Sequence, residues 1–269
     1  MTGSRSRRRL AAALATAATV LTLGASASAS AATRPTVVLV HGAWADGSSW
    51  SGKVTRLRHA GYAVDVPANP LRGLASDTAY LASYLKSVRG PIVLAGHSYG
   101  GAVITGAATG NAAVKALVYV DAYIPDEGES ILQLTGAKPG SAFADPTKAF
   151  NLVPYAGGPE GDVDLYLKPS VFHADFAADL SAARAATLAA TQRPLAAGVL
   201  QAPAGPPAWK AIRAFSIYGT RDRVIPPAEQ AVMAARAHAA VTRVSASHLA
   251  LISQPDAVTA VIERAAGGR

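Results

Sequence analysis

Short runs of apolar residues recur along this chain, separated by longer stretches in which apolar and polar positions alternate at helical spacing. Thr36–Val40 is apolar almost throughout and ends at His41-Gly42. Tyr62–Val66, Pro91–Ala95, Lys115–Val120, Ala214–Tyr218 and Val241–Val244 repeat the theme. Runs of four to seven residues rich in Val, Ile and Leu, with no inside-outside alternation, are what strands buried on both faces require. Between them lie segments with helical signals. One runs through Trp50 and Leu57 and is stopped by Gly61. A second runs through Leu81 and Leu85, with Asp77 as its expected cap. A third begins at Pro226-Pro227 and reaches about His238, and a last one follows Pro255. Strand alternating with helix predicts an α/β fold: a mostly parallel sheet with helices on both faces.

The alternation fails once. From about Tyr123 to Pro207 the chain is rich in Gly and Pro and offers no convincing strand of the main sheet, only helical patches such as Phe176–Ala190. An insertion of this length between two strands predicts a mainly helical cap, spanning about 123–207, over a site.

The N-terminus follows a different pattern. Arg5, Arg7, Arg8 and Arg9 precede an apolar stretch from Leu10 to Leu23, and small-x-small triplets follow at 25–27, 27–29 and 29–31. This predicts that residues 1–32 are a cleaved export signal, of either the ordinary secretory or the twin-arginine type, and that 33–269 form one domain that is secreted or extracytoplasmic. The leader also changes the charge. It carries four arginines and no acid, so the net charge of +8 falls to +4 without it. A mildly basic surface with no basic-aromatic run argues against nucleic acid as a partner. No other run is long enough for a membrane anchor, and no oligomeric state is legible. The chain has no cysteine, which excludes disulfides and thiolate chemistry.

The chemistry centres on Gly96-His97-Ser98-Tyr99-Gly100, placed between a predicted strand and the small-residue helix that begins at Gly101. A serine between glycines at a sharp strand-to-helix turn is held with its hydroxyl exposed. Such a hydroxyl needs a base, and the base needs an acid to fix its tautomer. Asp222 follows the Ala214–Tyr218 strand and His248 follows the last one. Both loops would open at the same sheet edge as Ser98. Asp121, at the end of the strand after the nucleophile helix, is a rival acid. His97 should point away from the serine, and His41 should order the first loop. Candidate oxyanion donors are the N–H groups of Tyr99 and Ala43. Trp44, Phe172 and His173 are candidate substrate contacts, with Trp50 and Phe176 as further aromatics near the same loops. His59, His173 and His238 lack metal-ligand spacing, so no metal and no cofactor are expected.

Val-Leu-Val-His-Gly, Gly-His-Ser-Tyr-Gly-Gly, Tyr-Gly-Thr-Arg-Asp and Ala-Ser-His together resemble the α/β-hydrolase fold family. Within it the chain is similar to small single-domain esterases related to plant methyl-ester hydrolases and hydroxynitrile lyases. The resemblance implies a triad of Ser98, Asp222 and His248, with Ala43 and Tyr99 as oxyanion donors. Hydroxynitrile lyases of this type place a threonine in the first glycine loop and a lysine just after the histidine. Gly42-Ala43 and Leu249 stand there instead, which argues against cyanohydrin cleavage. Relatives with an aspartate nucleophile are excluded by Ser98. The expected function is hydrolysis of small or medium carboxylic esters, with a small-molecule ester as partner. Lactone hydrolysis, acyl transfer and perhydrolysis on the same triad, or a ligand receptor on the same scaffold, remain open.

Overall fold

The structure is a computed structural model and describes residues 34–267; the expected export signal lies outside the described residues. A sheet of six strands forms the centre, in the order β2-β1-β3-β4-β8-β9. Its members are β1 (Thr36–Val40), β2 (Val64–Asp65), β3 (Ile92–His97), β4 (Val114–Val120), β8 (Ala214–Gly219) and β9 (Ala240–Val244). Every pairing in it is parallel. All six residues of β3 and all six of β8 are buried. Their uniform apolarity thus has its cause in cover on both faces. Helix α1 (Ser51–His59) packs against the Pro255–Ala265 helix, and α2 (Leu74–Leu85) packs against α3 (Tyr99–Ala107).

The expected strands and helices are present, with two differences. β2 is only two residues long, because Tyr62–Val66 lies at the sheet edge with a partner on one side alone. Asp77 does not cap α2. The helix starts earlier, at Leu74 after Gly73, and Asp77 sits buried in its first turn. There its carboxylate accepts the Arg72 N–H at 3.2 Å and the Tyr99 hydroxyl at 2.8 Å. Asp77 therefore ties α2 to the start of α3.

Sheet order places the site. The chain leaves β1 toward one side, forming β2, then returns to lay β3 on the other side of β1. Loops after β1 and β3 therefore diverge from adjacent strand ends and leave a crevice. Val40 is in register with Gly96, so the His41–Trp44 loop lies beside the Ser98 turn.

The insertion between β4 and β8 holds no strand of the main sheet, but it does hold a small antiparallel one. Its strands are β5 (Phe150–Pro154), β6 (Val163–Leu167) and β7 (Leu195–Ala196), in the order β5-β6-β7. Helical segments at Ile131–Gly136 and Ala182–Ala190 accompany it. Ser130 and Gln133 form a reciprocal capping box at the first of these.

Candidate active site

Three strand ends carry residues in the left-handed region that L-residues with side chains seldom occupy: Trp44 after β1 (φ 56°), Ser98 after β3 (φ 52°) and Asp121 after β4 (φ 44°). Such strain persists where surrounding structure over-determines it. At Ser98 the cause is visible in its neighbours. A Cβ on Gly96 would lie 2.4 Å from the Gly100 carbonyl oxygen, and one on Gly42 would lie 2.8 Å from the Ser98 Cβ. Only bare backbone lets β3 turn this sharply into α3 with the first loop so close.

The turn aims Ser98 Oγ at His248, whose Nε2 lies 2.8 Å away. His248 Nδ1 lies 2.8 Å from Asp222 Oδ2. All three residues are nearly without solvent exposure. Three of the predicted site residues, far apart in sequence, are thus brought into one continuous line of hydrogen bonds. Asp222 is itself firmly held. Its Oδ1 accepts the N–H groups of Val224 (2.8 Å) and Ile225 (3.1 Å), and its Oδ2 also accepts the Gln230 amide at 2.8 Å. Gln230 had no signal in the sequence beyond lying on the helix that Pro226-Pro227 opens.

Asp121, the rival acid, does not touch the imidazole. Its carboxylate accepts Gly219 N–H at 2.7 Å and Ala250 N–H at 3.0 Å. It fastens the end of β8 to the loop carrying His248. Burial pushes its pKa well above the usual carboxylate range, and the charge of Asp222 adds to the effect. His97 makes no hydrogen bond to Ser98; it donates Nε2–H to the His248 carbonyl oxygen at 3.0 Å. Burial, followed by the proximity of His248, holds its pKa well below the ordinary histidine value. His41 donates Nδ1–H to the Gly42 carbonyl at 2.9 Å and accepts Asn69 N–H on Nε2 at 3.2 Å. It is a brace for the first loop.

Ala43 and Tyr99 are both buried beside Ser98, and they line one cleft with it. The next N–H along, that of Trp44, is bonded to the Arg193 carbonyl at 3.1 Å. The cleft is narrow, with about 30 Å³ of free volume. No charged residue lines it. Trp44 forms one wall, stacked on Phe150 with ring centroids 5.2 Å apart and edge-on to Phe143 at 5.3 Å. Its indole N–H reaches up to the Leu165 carbonyl in β6 at 2.8 Å. Tyr123, Phe143 and Phe150, on the cleft wall, all belong to the insertion or its root. Their role was hidden because nothing local in the sequence says which aromatics of an insertion face inward.

Two expected substrate contacts lie elsewhere. Phe172 is buried against Phe176 (centroids 4.9 Å apart) and lines a second cavity behind Trp44, not the Ser98 cleft. His173 faces a shallow depression among Ala182, Ala185 and Ala189, and its Nε2 lies 3.2 Å from the Leu180 carbonyl. Both residues lie on a π-helical turn over Phe172–Phe176, and adjacent residues of a helix point in different directions. Trp50 is fully buried in the core.

Beneath the base loop sits Lys53, 1 % exposed, with Nζ donating to the carbonyls of Ser49 and Leu251. Burial, helped by Arg56, depresses its pKa to about 7. Between about 7 and the ordinary lysine value the unfolded chain holds the proton that the native state has lost. Stability must therefore rise with pH across that window and fall as pH drops through it. Urea midpoints measured at several pH values should show this rise, and Lys53→Met should flatten it.

Among the described residues, no cluster of three or more His, Asp or Glu is arranged to hold a metal ion, and no helix is long and apolar enough to cross a membrane.

Comparison with known proteins identifies the family and the fold. The family model described as the alpha/beta hydrolase family matches residues 37–261. A carbendazim hydrolyzing esterase of Nocardioides sp. (strain SG-4G) is 37% identical over 110 residues, which cover 36% of this chain and 46% of that protein. The match thus spans less than half the length of that curated relative. Polyneuridine aldehyde esterase superimposes with a TM-score of 0.73 at 20% identity, covering 86% of this chain and 98% of its own. An extracellular alpha/beta-hydrolase from a Paenibacillus species gives a TM-score of 0.69 at 20% identity, covering 87% and 99%. At such identities the structural likeness is one of fold.

Proposed function

The chain belongs to the alpha/beta hydrolase family, and from that premise we propose that it is an exported serine esterase acting on small or medium uncharged carboxylic esters. The observation that carries the reading is the unbroken Asp222–His248–Ser98 line under a cleft without charged walls. Ser98 Oγ attacks the ester carbonyl while His248 Nε2 takes its proton. Asp222 keeps the Nδ1–H tautomer and stabilises the imidazolium. The N–H groups of Ala43 and Tyr99 receive the oxyanion. His248 returns the proton to the departing alcohol, then activates a water that hydrolyses the acyl-enzyme. No step calls for a cofactor or metal. Export rests on the arginine-led apolar segment at the N-terminus, which begins before the described residues. The fold-level likeness to an extracellular hydrolase is consistent with it.

The uncharged walls make a prediction about selectivity. A series of p-nitrophenyl esters from acetate to laurate should be turned over best at short to medium acyl lengths. An acyl chain ending in a carboxylate should lose at least about tenfold in kcat/KM, because the cleft offers that charge no partner. Absence of turnover across the whole series in folded protein would overturn the esterase reading.

A further inference from the structure

The loop that carries His248 is gripped by two carboxylates from opposite sides. From the core, Asp121 accepts the N–H of Ala250. From the cap, Asp179 accepts the N–H of Ser247 on Oδ2 at 3.1 Å, and the Ser247 hydroxyl on Oδ1. The residues gripped lie on either side of the imidazole in sequence. Asp179 stands between the π-helical turn Phe172–Phe176 and the Ala182–Ala190 helix. The same cap segment makes one further contact with the relay and one beside it. The Phe176 ring packs on the His248 imidazole with centroids 5.1 Å apart. Asp175 lies 3.1 Å from Arg223, the neighbour of Asp222. That last pair is mostly exposed on the arginine side and contributes little by itself. Asp179 is different in kind, because an ionised carboxylate accepts from both the backbone and the side chain of one buried residue.

We propose that Asp179 is a positioning residue for the catalytic base: by clamping Ser247 it fixes where the His248 imidazole stands relative to Ser98 and Asp222, and so makes proton transfer depend on the seating of the cap. This rests on the esterase reading above. Burial by itself would raise the pKa of Asp179, but hydrogen bonding from the Ser247 and Ser253 side chains and the Ser247 backbone brings it below the ordinary carboxylate value, so the clamp is charged at neutral pH. The grip is also one that an amide can imitate. An asparagine at 179 can accept Ser247 N–H on its oxygen and donate its NH₂ to Ser247 Oγ. It keeps the geometry and loses only the charge.

The test compares Asp179→Ala, Asp179→Asn and Ser247→Ala with wild type, using p-nitrophenyl butyrate turnover normalised to sites titrated with a fluorophosphonate. Misplacing a base by a fraction of an ångström slows the chemical step without weakening substrate binding. Asp179→Ala should therefore lose about 10- to 100-fold in kcat per titrated site with KM within about twofold. The phosphonylation rate should fall in parallel. Asp179→Asn should stay within about threefold of wild type, a rescue that separates position from charge. Ser247→Ala, which keeps the backbone N–H bond, should fall between the two and stands in if the alanine variant at 179 does not fold. Unchanged kcat in Asp179→Ala overturns the inference, as does a loss confined to KM or an equal loss in the asparagine variant. If wild type turns over ester and is phosphonylated while the alanine variant matches it, only this inference falls. If wild type does neither, the esterase reading falls and takes it along.

Discussion

Ser98→Ala is expected to lose ester turnover by roughly 10⁴-fold or more while remaining folded. The size follows from what the hydroxyl does: without it there is no acyl-enzyme, and what remains is direct attack by water aided by the oxyanion donors. The fold should survive because the serine side chain makes one hydrogen bond, to His248 Nε2, and the strain at φ 52° is borne by the backbone regardless. Alanine changes neither the glycines around the turn nor the burial of the strand beneath it. Thermal unfolding should move by only a few degrees, and the fluorophosphonate should no longer label. Turnover within tenfold of wild type would sink the nucleophile assignment.

Asp222→Asn should cost kcat roughly 10³- to 10⁴-fold, for a reason that can be followed atom by atom. Oδ1 accepts two backbone N–H groups, from Val224 and Ile225. An asparagine must put its oxygen there, which turns its NH₂ toward His248 Nδ1. The imidazole then accepts on Nδ1 and carries its proton on Nε2, where it cannot receive one from Ser98. The NH₂ also meets the Gln230 amide, which is locked by its second bond to the Ile225 carbonyl at 3.0 Å. A loss of stability of about 1–3 kcal/mol should accompany the loss of activity. Asp121→Asn is the control. That residue holds Gly219 and Ala250 and does not reach the imidazole, so its kcat should fall far less. The reverse order would make Asp121 the acid.

Much of this was legible in the sequence because parallel strands announce themselves. β1, β3, β4 and β8 are buried on both faces, so nearly every residue in them is apolar, and the residue that follows each points to the same edge of the sheet. Ser98 directly follows β3, while Asp222 stands three residues beyond β8 and His248 four beyond β9. Edge strands gave weaker signals: β2 shrank to two residues, and β9 is half-exposed with Val241 open to solvent. The cap sheet was missed for a related reason. In β5 only Phe150 is buried, and the run ends in a proline, so it resembles a loop until β6 is beside it. Asp77, Asp121, Asp179 and Gln230 were harder still. Each acts through hydrogen bonds that no local pattern encodes, most remotely Asp121 to Gly219 and Ala250 and Asp179 to Ser247. His173 lies on the far side of the cap from the Ser98 cleft, a placement that no local pattern announces.

Ser98 and His248 meet across a separation of 150 residues, and Asp222 and His248 stand on loops after the last two strands of the central sheet. During synthesis the serine turn can form early, since β1, β3 and β4 precede it or follow it closely. The imidazole arrives only when β8 and β9 have docked at the far end of the sheet. Until then the hydroxyl has no proton acceptor and is as unreactive as any surface serine. On the proposed reading, completion of the fold is therefore itself the activating event, and a chain that has not yet added β8 and β9 would have no base for Ser98.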